Sequence, residues 1–95
     1  MNNDEIVEMH AIIGGRVQGV GFRATTLYLA QDLNLTGSVC NLPNGTVEIN
    51  AQGSRQALQS LIGELQKQFS GLPINTLEYK TPGWLFPSFR ITYVK

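Results

Sequence analysis

The chain is short of several things that would each point to a function. It has one cysteine, Cys40, in 95 residues. No internal disulfide can therefore form, and a structural zinc site has no ligand set. Neither charge is in excess: seven Lys and Arg balance seven Asp and Glu, for a formal net charge of zero. A neutral chain without a basic run has no electrostatic footprint for duplex nucleic acid or an anionic membrane surface. No stretch approaches the ~18–20 consecutive apolar residues of a membrane span. The segment from Met1 to Glu8 is polar and acidic, unlike a secretory signal. Linkers, repeats and low-complexity tracts are all missing. What remains is a small protein expected in the cytoplasm, expected to act as a monomer, and able to hold an anion only at a local site. Residues 1–5 read as a disordered lead-in, and 6–95 as a single domain. With hydrophobic residues at 42%, the chain can bury one small core.

Periodicity orders the rest. Val7, Met9, Ala11 and Ile13 alternate with Glu8 and His10, the period of a half-buried strand. A glycine-rich run follows from Gly14 to Gly21. From Phe22 the period becomes helical, with Phe22, Leu29, Ala30 and Leu33 on one stripe and Thr26 between them. This helix is expected to end near Asn34, with Gly37 as its stop. Ser38 to Leu42 reads as a short strand. Pro43-Asn44-Gly45 reads as a turn, Asn-Gly supplying the positive φ angles of a tight hairpin. Val47, Ile49 and Ala51 are the inward residues of the next strand, Thr46 to Ala51. Ser54 is a candidate N-cap for a helix striped by Leu58, Leu61, Ile62, Leu65 and Phe69, closed by Gly71 to Pro73. The tail offers a weak strand at Thr76 to Lys80, a Pro-Gly turn, and a firmer strand with Phe89, Ile91 and Tyr93 facing one way. The order β-α-β-β-α-β, plus a tail strand, is the ferredoxin-like α+β sandwich: an antiparallel sheet with two helices on one face. Right-handed crossovers put the first strand inside the sheet, beside the third.

The run Gly14 to Arg23, GGRVQGVGFR, carries the chemistry. Four glycines between a strand and a helix let the backbone bend until successive N–H groups converge, and such a nest binds an anion. The helix beginning near Phe22 turns its unpaired N–H groups and positive dipole end toward the same point. Arg23 lies in that first turn, where its guanidinium can meet two phosphate or carboxylate oxygens at once. The run lacks the Gly-Lys-Ser/Thr of a nucleotide P-loop and the spacing of a dinucleotide fingerprint.

GRVQGVGFR (15–23) closely resembles the signature of acylphosphatases. The resemblance extends through AQDLNLTGSVCNLPNGTVEINAQG (30–53): the Gly-x-Val-x-Asn of that family is Gly37-Ser38-Val39-Cys40-Asn41 here, and its Gly-x-Val-Glu is Gly45-Thr46-Val47-Glu48. Phe89-Arg90-Ile91-Thr92-Tyr93 is similar to the family's closing strand. The resemblance implies a βαββαβ enzyme that hydrolyses the carboxyl-phosphate bond of acyl phosphates, with no metal and no cofactor. It implies that Arg23 binds the phosphate and that Asn41 orients the attacking water. It also implies that the loop formed by Gly15, Arg16, Val17, Gln18, Gly19, Val20, Gly21 and Phe22 holds the phosphate oxygens. An amide is no base at neutral pH, but it can accept a hydrogen bond from water and set its line of approach. A phosphate oxygen of the substrate is then the expected proton acceptor. Two departures from the family pattern, Ser38 for a frequent aromatic and Cys40 for a frequent basic residue, alternate away from Val39 and Asn41 and so belong to the opposite sheet face.

Other residues read as ordinary. Cys40 has no histidine nearby in sequence and no resolving thiol, so a plain thiol on the sheet is expected. His10 reads as a solvated histidine beside Glu8. Trp84, Phe86 and Phe89 either pack under a loop or form an apolar lip for an acyl group, packing being the expected role. Three alternatives to the enzyme stand beside it. A non-catalytic anion-binding regulatory module would share the cradle. An RNA-binding sheet needs outward aromatics, where this chain puts Glu8, His10, Thr46, Glu48 and Asn50. A domain working inside a larger carbamoyl-transfer maturation factor is disfavoured by the length and by the lack of zinc-finger cysteines.

Overall fold

The computed structural model describes residues 5–15, 17–19 and 21–94. Apart from Glu5, the expected lead-in lies outside the described residues, as do Arg16 and Val20. The elements are β1 (Val7–Ile13), α1 (Phe22–Asp32), β2 (Thr36–Asn41), β3 (Val47–Gly53), α2 (Arg55–Gln68), β4 (Ile74–Lys80) and β5 (Phe89–Tyr93). The sheet order is β4-β1-β3-β2-β5. β1 lies inside the sheet beside β3, as the crossover rule requires, and β1–β3, β1–β4 and β2–β3 are all antiparallel.

The tail strand makes the sheet mixed: β5 runs parallel to β2, with Gly37 opposite Phe89 and Asn41 opposite Tyr93. Direction forces this. β4 runs toward the end of the sheet where β1 and β2 begin, so a strand that returns beyond β2 must run alongside it. Residues 81–88 make the crossing, held by Gln52. Its side-chain amide donates to the Trp84 carbonyl at 2.7 Å and to Glu8 Oε1 at 2.9 Å, and its Oε1 accepts from the Phe86 N–H at 2.8 Å. Gln52 is 2% exposed, and these bonds satisfy it in the buried position.

Alternation builds one face of the core. Met9, Ala11 and Ile13 of β1, Val39 of β2, and Val47, Ile49 and Ala51 of β3 are buried. Against them pack Leu58, Leu61, Ile62 and Leu65 of α2, the expected stripe, and Phe22, Thr26 and Ala30 of α1. On α1 the buried face runs at spacing four through Thr26, whose hydroxyl donates back to the Phe22 carbonyl at 2.8 Å. Leu29 and Leu33 are only partly buried. Ser54 caps α2 as expected, its hydroxyl accepting from the Ala57 N–H at 3.1 Å.

Two local expectations need correction. Gly37 does not stop α1. The helix ends in a Schellman motif, with Asn34 in the left-handed region (φ 59°), Leu35 N–H on the Ala30 carbonyl at 2.8 Å and Asn34 N–H on Gln31 at 3.1 Å. Gly37 sits inside β2, where a Cβ would fall 1.9 Å from the Asn50 carbonyl oxygen. The hairpin turn has one left-handed residue, Gly45 (φ 92°), and not two. Its N–H closes on the Leu42 carbonyl at 3.1 Å, and the Asn44 side chain accepts from the Thr46 N–H and hydroxyl. This Asx turn takes over the work of a second positive φ.

Candidate active site

The ends of β1, β2 and β5 lie at the same end of the sheet, and the glycine-rich loop, the start of α1 and Arg23 meet Tyr93 there. β1 runs out at Ile13, and the Gly14 N–H donates to the Pro73 carbonyl at 2.9 Å, pinning the start of the loop to the segment before β4. Gly15, Gly19 and Gly21 then take φ of 79°, 82° and 83°. A Cβ on Gly19 or Gly21 would touch nothing within 4 Å, so the backbone conformation, not space, demands glycine there.

Gly21 is the N-cap of α1 and offers no side chain to it, and the first turn holds no acidic residue. The first intrahelical bond runs from the Thr25 N–H to the Gly21 carbonyl at 3.0 Å. The amides of Phe22, Arg23 and Ala24 therefore have no partner within the helix, and the positive end of the dipole is uncompensated. Arg23 is half-buried, with its guanidinium carbon 5.3 Å from the centre of the Tyr93 ring. Among the described residues no carboxylate pairs with it. A cavity of about 170 Å³ opens here, with Gly19, Gly21, Arg23, Ile91 and Tyr93 in its wall.

Three of the residues expected to bind phosphate can do so only through the main chain. Val17 is 1% exposed and anchors the loop in the core. Phe22 packs edge-on against Phe69, ring centres 5.1 Å apart. The Gln18 side chain turns away to the β2–β3 hairpin, donating to the Leu42 carbonyl at 2.9 Å and the Thr46 carbonyl at 2.8 Å.

Asn41 does not line the cavity but stands next to it. It is the last residue of β2, paired in register with Tyr93, the ring that covers Arg23. Its Oδ1 is buried and has no hydrogen-bond partner among the described residues. A buried acceptor without a donor costs about 1–3 kcal/mol, and an ordered water is one donor that can satisfy such a group.

The other candidates fall elsewhere. Trp84 and Phe86 lie at the far end of the sheet with Gln52; Trp84 is 67% exposed, so of the three aromatics near the tail only Phe89 is buried. They form no lip to the cavity. His10 is engaged rather than merely solvated, 2.7 Å from Glu48 and 3.7 Å from Glu78. It borders a larger cavity on the open sheet face, lined by Glu8, Glu78 and Lys80 among others, with Lys80 paired to Glu8 at 3.8 Å. Cys40 points to that opposite face, as expected, with its thiol 3.3 Å from the Asn41 carbonyl. Tyr93 and Ile91 are site residues that sequence reasoning missed. Their only signal was alternation, which fixes the facing of a strand but not its neighbour.

The acylphosphatase family model matches residues 9–91. A Methanospirillum hungatei protein named acylphosphatase is 45% identical over 60 residues, covering 63% of this chain and 66% of that protein. The chain thus aligns with slightly under two thirds of that relative's length. Among solved structures, acylphosphatase from Bacillus subtilis superposes with a TM-score of 0.76 at 32% identity, over 92% of this chain and 99% of that one. Full-length HypF, in a phosphate- and nucleotide-bound form, matches with a TM-score of 0.77 at 29% identity, over 96% of this chain but 12% of that chain. Since the matched span contains the whole glycine-rich cradle, Arg23 and the strand end that carries Asn41, this chain belongs to the acylphosphatase family.

Proposed function

We propose that this chain hydrolyses acyl phosphates to a carboxylate and inorganic phosphate, using main-chain amides, Arg23 and Asn41 and no metal ion. The cradle alone would support an anion-binding module equally well. The observation that favours an enzyme is the buried, partnerless Oδ1 of Asn41 next to that cradle. A receptor for phosphate has no need of it, whereas a hydrolase must hold a water.

In this reading the loop amides from Gly15 to Gly21, the first-turn amides of α1 and the Arg23 guanidinium take the phosphoryl oxygens. Asn41 Oδ1 accepts a hydrogen bond from the attacking water and aims its oxygen at phosphorus. The water oxygen–phosphorus bond forms, the bond from phosphorus to the carboxyl oxygen breaks, and the electron pair leaves on the carboxylate. A carboxylate is stable as an anion at neutral pH, so the leaving group requires no general acid. The proton of the water goes to a phosphoryl oxygen. Catalysis is then positioning plus electrostatic stabilisation. The substrate is a small molecule, and one chain holds every group named, so a monomer suffices. A lone thiol, 8% exposed and unpaired, suits the reducing cytoplasm.

Benzoyl phosphate hydrolysis in EDTA tests the proposal. Turnover is expected, with inorganic phosphate as a competitive inhibitor. Asn41→Ala should lose on the order of 10²–10³ in kcat, by analogy with other preorganised polar groups, and keep its phosphate affinity. Saturable phosphate binding without turnover in the wild type would move the chain to the regulatory-module reading. Near wild-type hydrolysis by a folded Asn41→Ala variant would remove the water-orienting role.

A further inference from the structure

The two halves of the proposed site stand on separate elements. The phosphate cradle follows β1, the water-orienting amide ends β2, and β3 lies between them in the sheet. Two strand spacings, roughly 10 Å, therefore separate the strands concerned, and no ladder hydrogen bond joins them directly. In-line displacement depends on the angle between attacking oxygen, phosphorus and leaving oxygen, so the two halves must be held in register.

One side chain spans that gap. Gln18, in the middle of the loop, uses both N–H groups of its amide on the β2–β3 hairpin: the Leu42 carbonyl at 2.9 Å and the Thr46 carbonyl at 2.8 Å. Leu42 directly follows Asn41, and Thr46 directly precedes Val47, the antiparallel partner of Asn41. The two carbonyls belong to facing residues, joined by the Leu42 N–H to Thr46 carbonyl bond at 2.8 Å, one step toward the turn from the pair that carries the partnerless oxygen. On its other side the loop is pinned by Gly14 to Pro73. Among the described residues, Gln18 supplies the loop's side-chain hydrogen bonds to the rest of the molecule. A planar amide with two donors fits two neighbouring carbonyls. A carboxylate of the same shape would set oxygen against oxygen and bring negative charge beside the phosphate.

We infer that Gln18 is a positioning residue that acts through Asn41: it fixes the angle of water attack relative to the bound phosphoryl group and contributes little to phosphate affinity. The inference rests on the hydrolase reading above.

The test is a double-mutant cycle. Gln18→Met keeps the length of the side chain and removes its donors. With benzoyl phosphate it should lower kcat roughly 10- to 100-fold, the effect of a small misplacement of reacting groups. The inhibition constant of inorganic phosphate should stay within about twofold, the scatter of independent sites. In an Asn41→Ala background the same substitution should change kcat by no more than about twofold, because there is no longer an oriented water to misplace. Equal losses in both backgrounds, a phosphate constant that rises in step with the loss of kcat, or no loss at all would each overturn the inference. Should Gln18→Met fail to fold, Gln18→Asn reads the same coupling, since it keeps the amide but falls one methylene short. Absence of hydrolysis by the wild-type chain would instead remove the enzyme reading, and this role with it.

Discussion

Arg23 stands in the first turn of α1, beside amides that have no helical partner and beneath the ring of Tyr93. Geometry matters here as much as charge. A guanidinium presents a planar fork to two phosphoryl oxygens and can stack on an aromatic face, while an ammonium is a compact point charge. Arg23→Lys is therefore expected to keep measurable phosphate binding yet lose on the order of 10² or more in kcat/KM, the scale for removing a preorganised donor. Steady-state kinetics with phosphate inhibition checks this, and a variant within about twofold of wild type in kcat/KM would mean that charge alone is used. At this scale the sequence was informative where a residue's own sterics or chemistry forced the reading. Three glycines of the run adopt left-handed φ, a region where a Cβ costs roughly 1–2 kcal/mol for most residues. It was uninformative about Gln18, whose partners lie 24 and 28 residues away; an amide in a loop carries no mark of the carbonyls it will meet.

The elements differ in what sets their limits. α2 begins at Ser54 through a side-chain cap, and Ser54→Ala should cost about 1 kcal/mol, measured by urea unfolding and with no change in kcat. β2 is limited by contact with its neighbour: a Cβ at Gly37 would lie 1.9 Å from the Asn50 carbonyl oxygen and 2.8 Å from Ala51 Cα, both backbone atoms. Neither can give way without parting β2 from β3. Gly37→Ala should thus destabilise by more than Ser54→Ala, by at least the ~1–3 kcal/mol typical of overpacking, and should also reduce kcat because Asn41 lies four residues along the same strand. A stable, fully active Gly37→Ala would contradict the register. The strand and helix periods were plain in the sequence because burial imposes them directly. The role of Gly37 was not, since a glycine shortly after a helix reads equally well as a helix stop or as a close approach between strands. Only the position of Asn50 decides between those.

At the scale of the molecule, fold and anion binding are expected to be coupled. The described structure holds an uncapped helix end, an Arg without a carboxylate partner and three left-handed glycines at one place. A bound anion satisfies the helix end and the Arg in the folded chain and neither of them in the unfolded one. Inorganic phosphate at 100 times its dissociation constant should therefore stabilise the protein by about 2.7 kcal/mol, seen as a shift in the urea midpoint at constant ionic strength with chloride as the control. Arg23→Ala should fold and lose most of that shift. An unchanged wild-type midpoint in phosphate would mean that the cradle is not the anion site. No helix of the described residues is long and apolar enough to cross a membrane.

By itself the sequence determined what each segment is: strand, helix, left-handed loop, capped start and inward face. These follow from steric limits and burial periods that act over a few residues. The tertiary structure alone decided which segments are neighbours. It put β5 parallel against β2, so that Tyr93 reaches both Asn41 and Arg23, and it set two hairpin carbonyls opposite Gln18. Such meetings depend on how the summed packing of distant parts places one strand edge against another, and no local property of either partner encodes them.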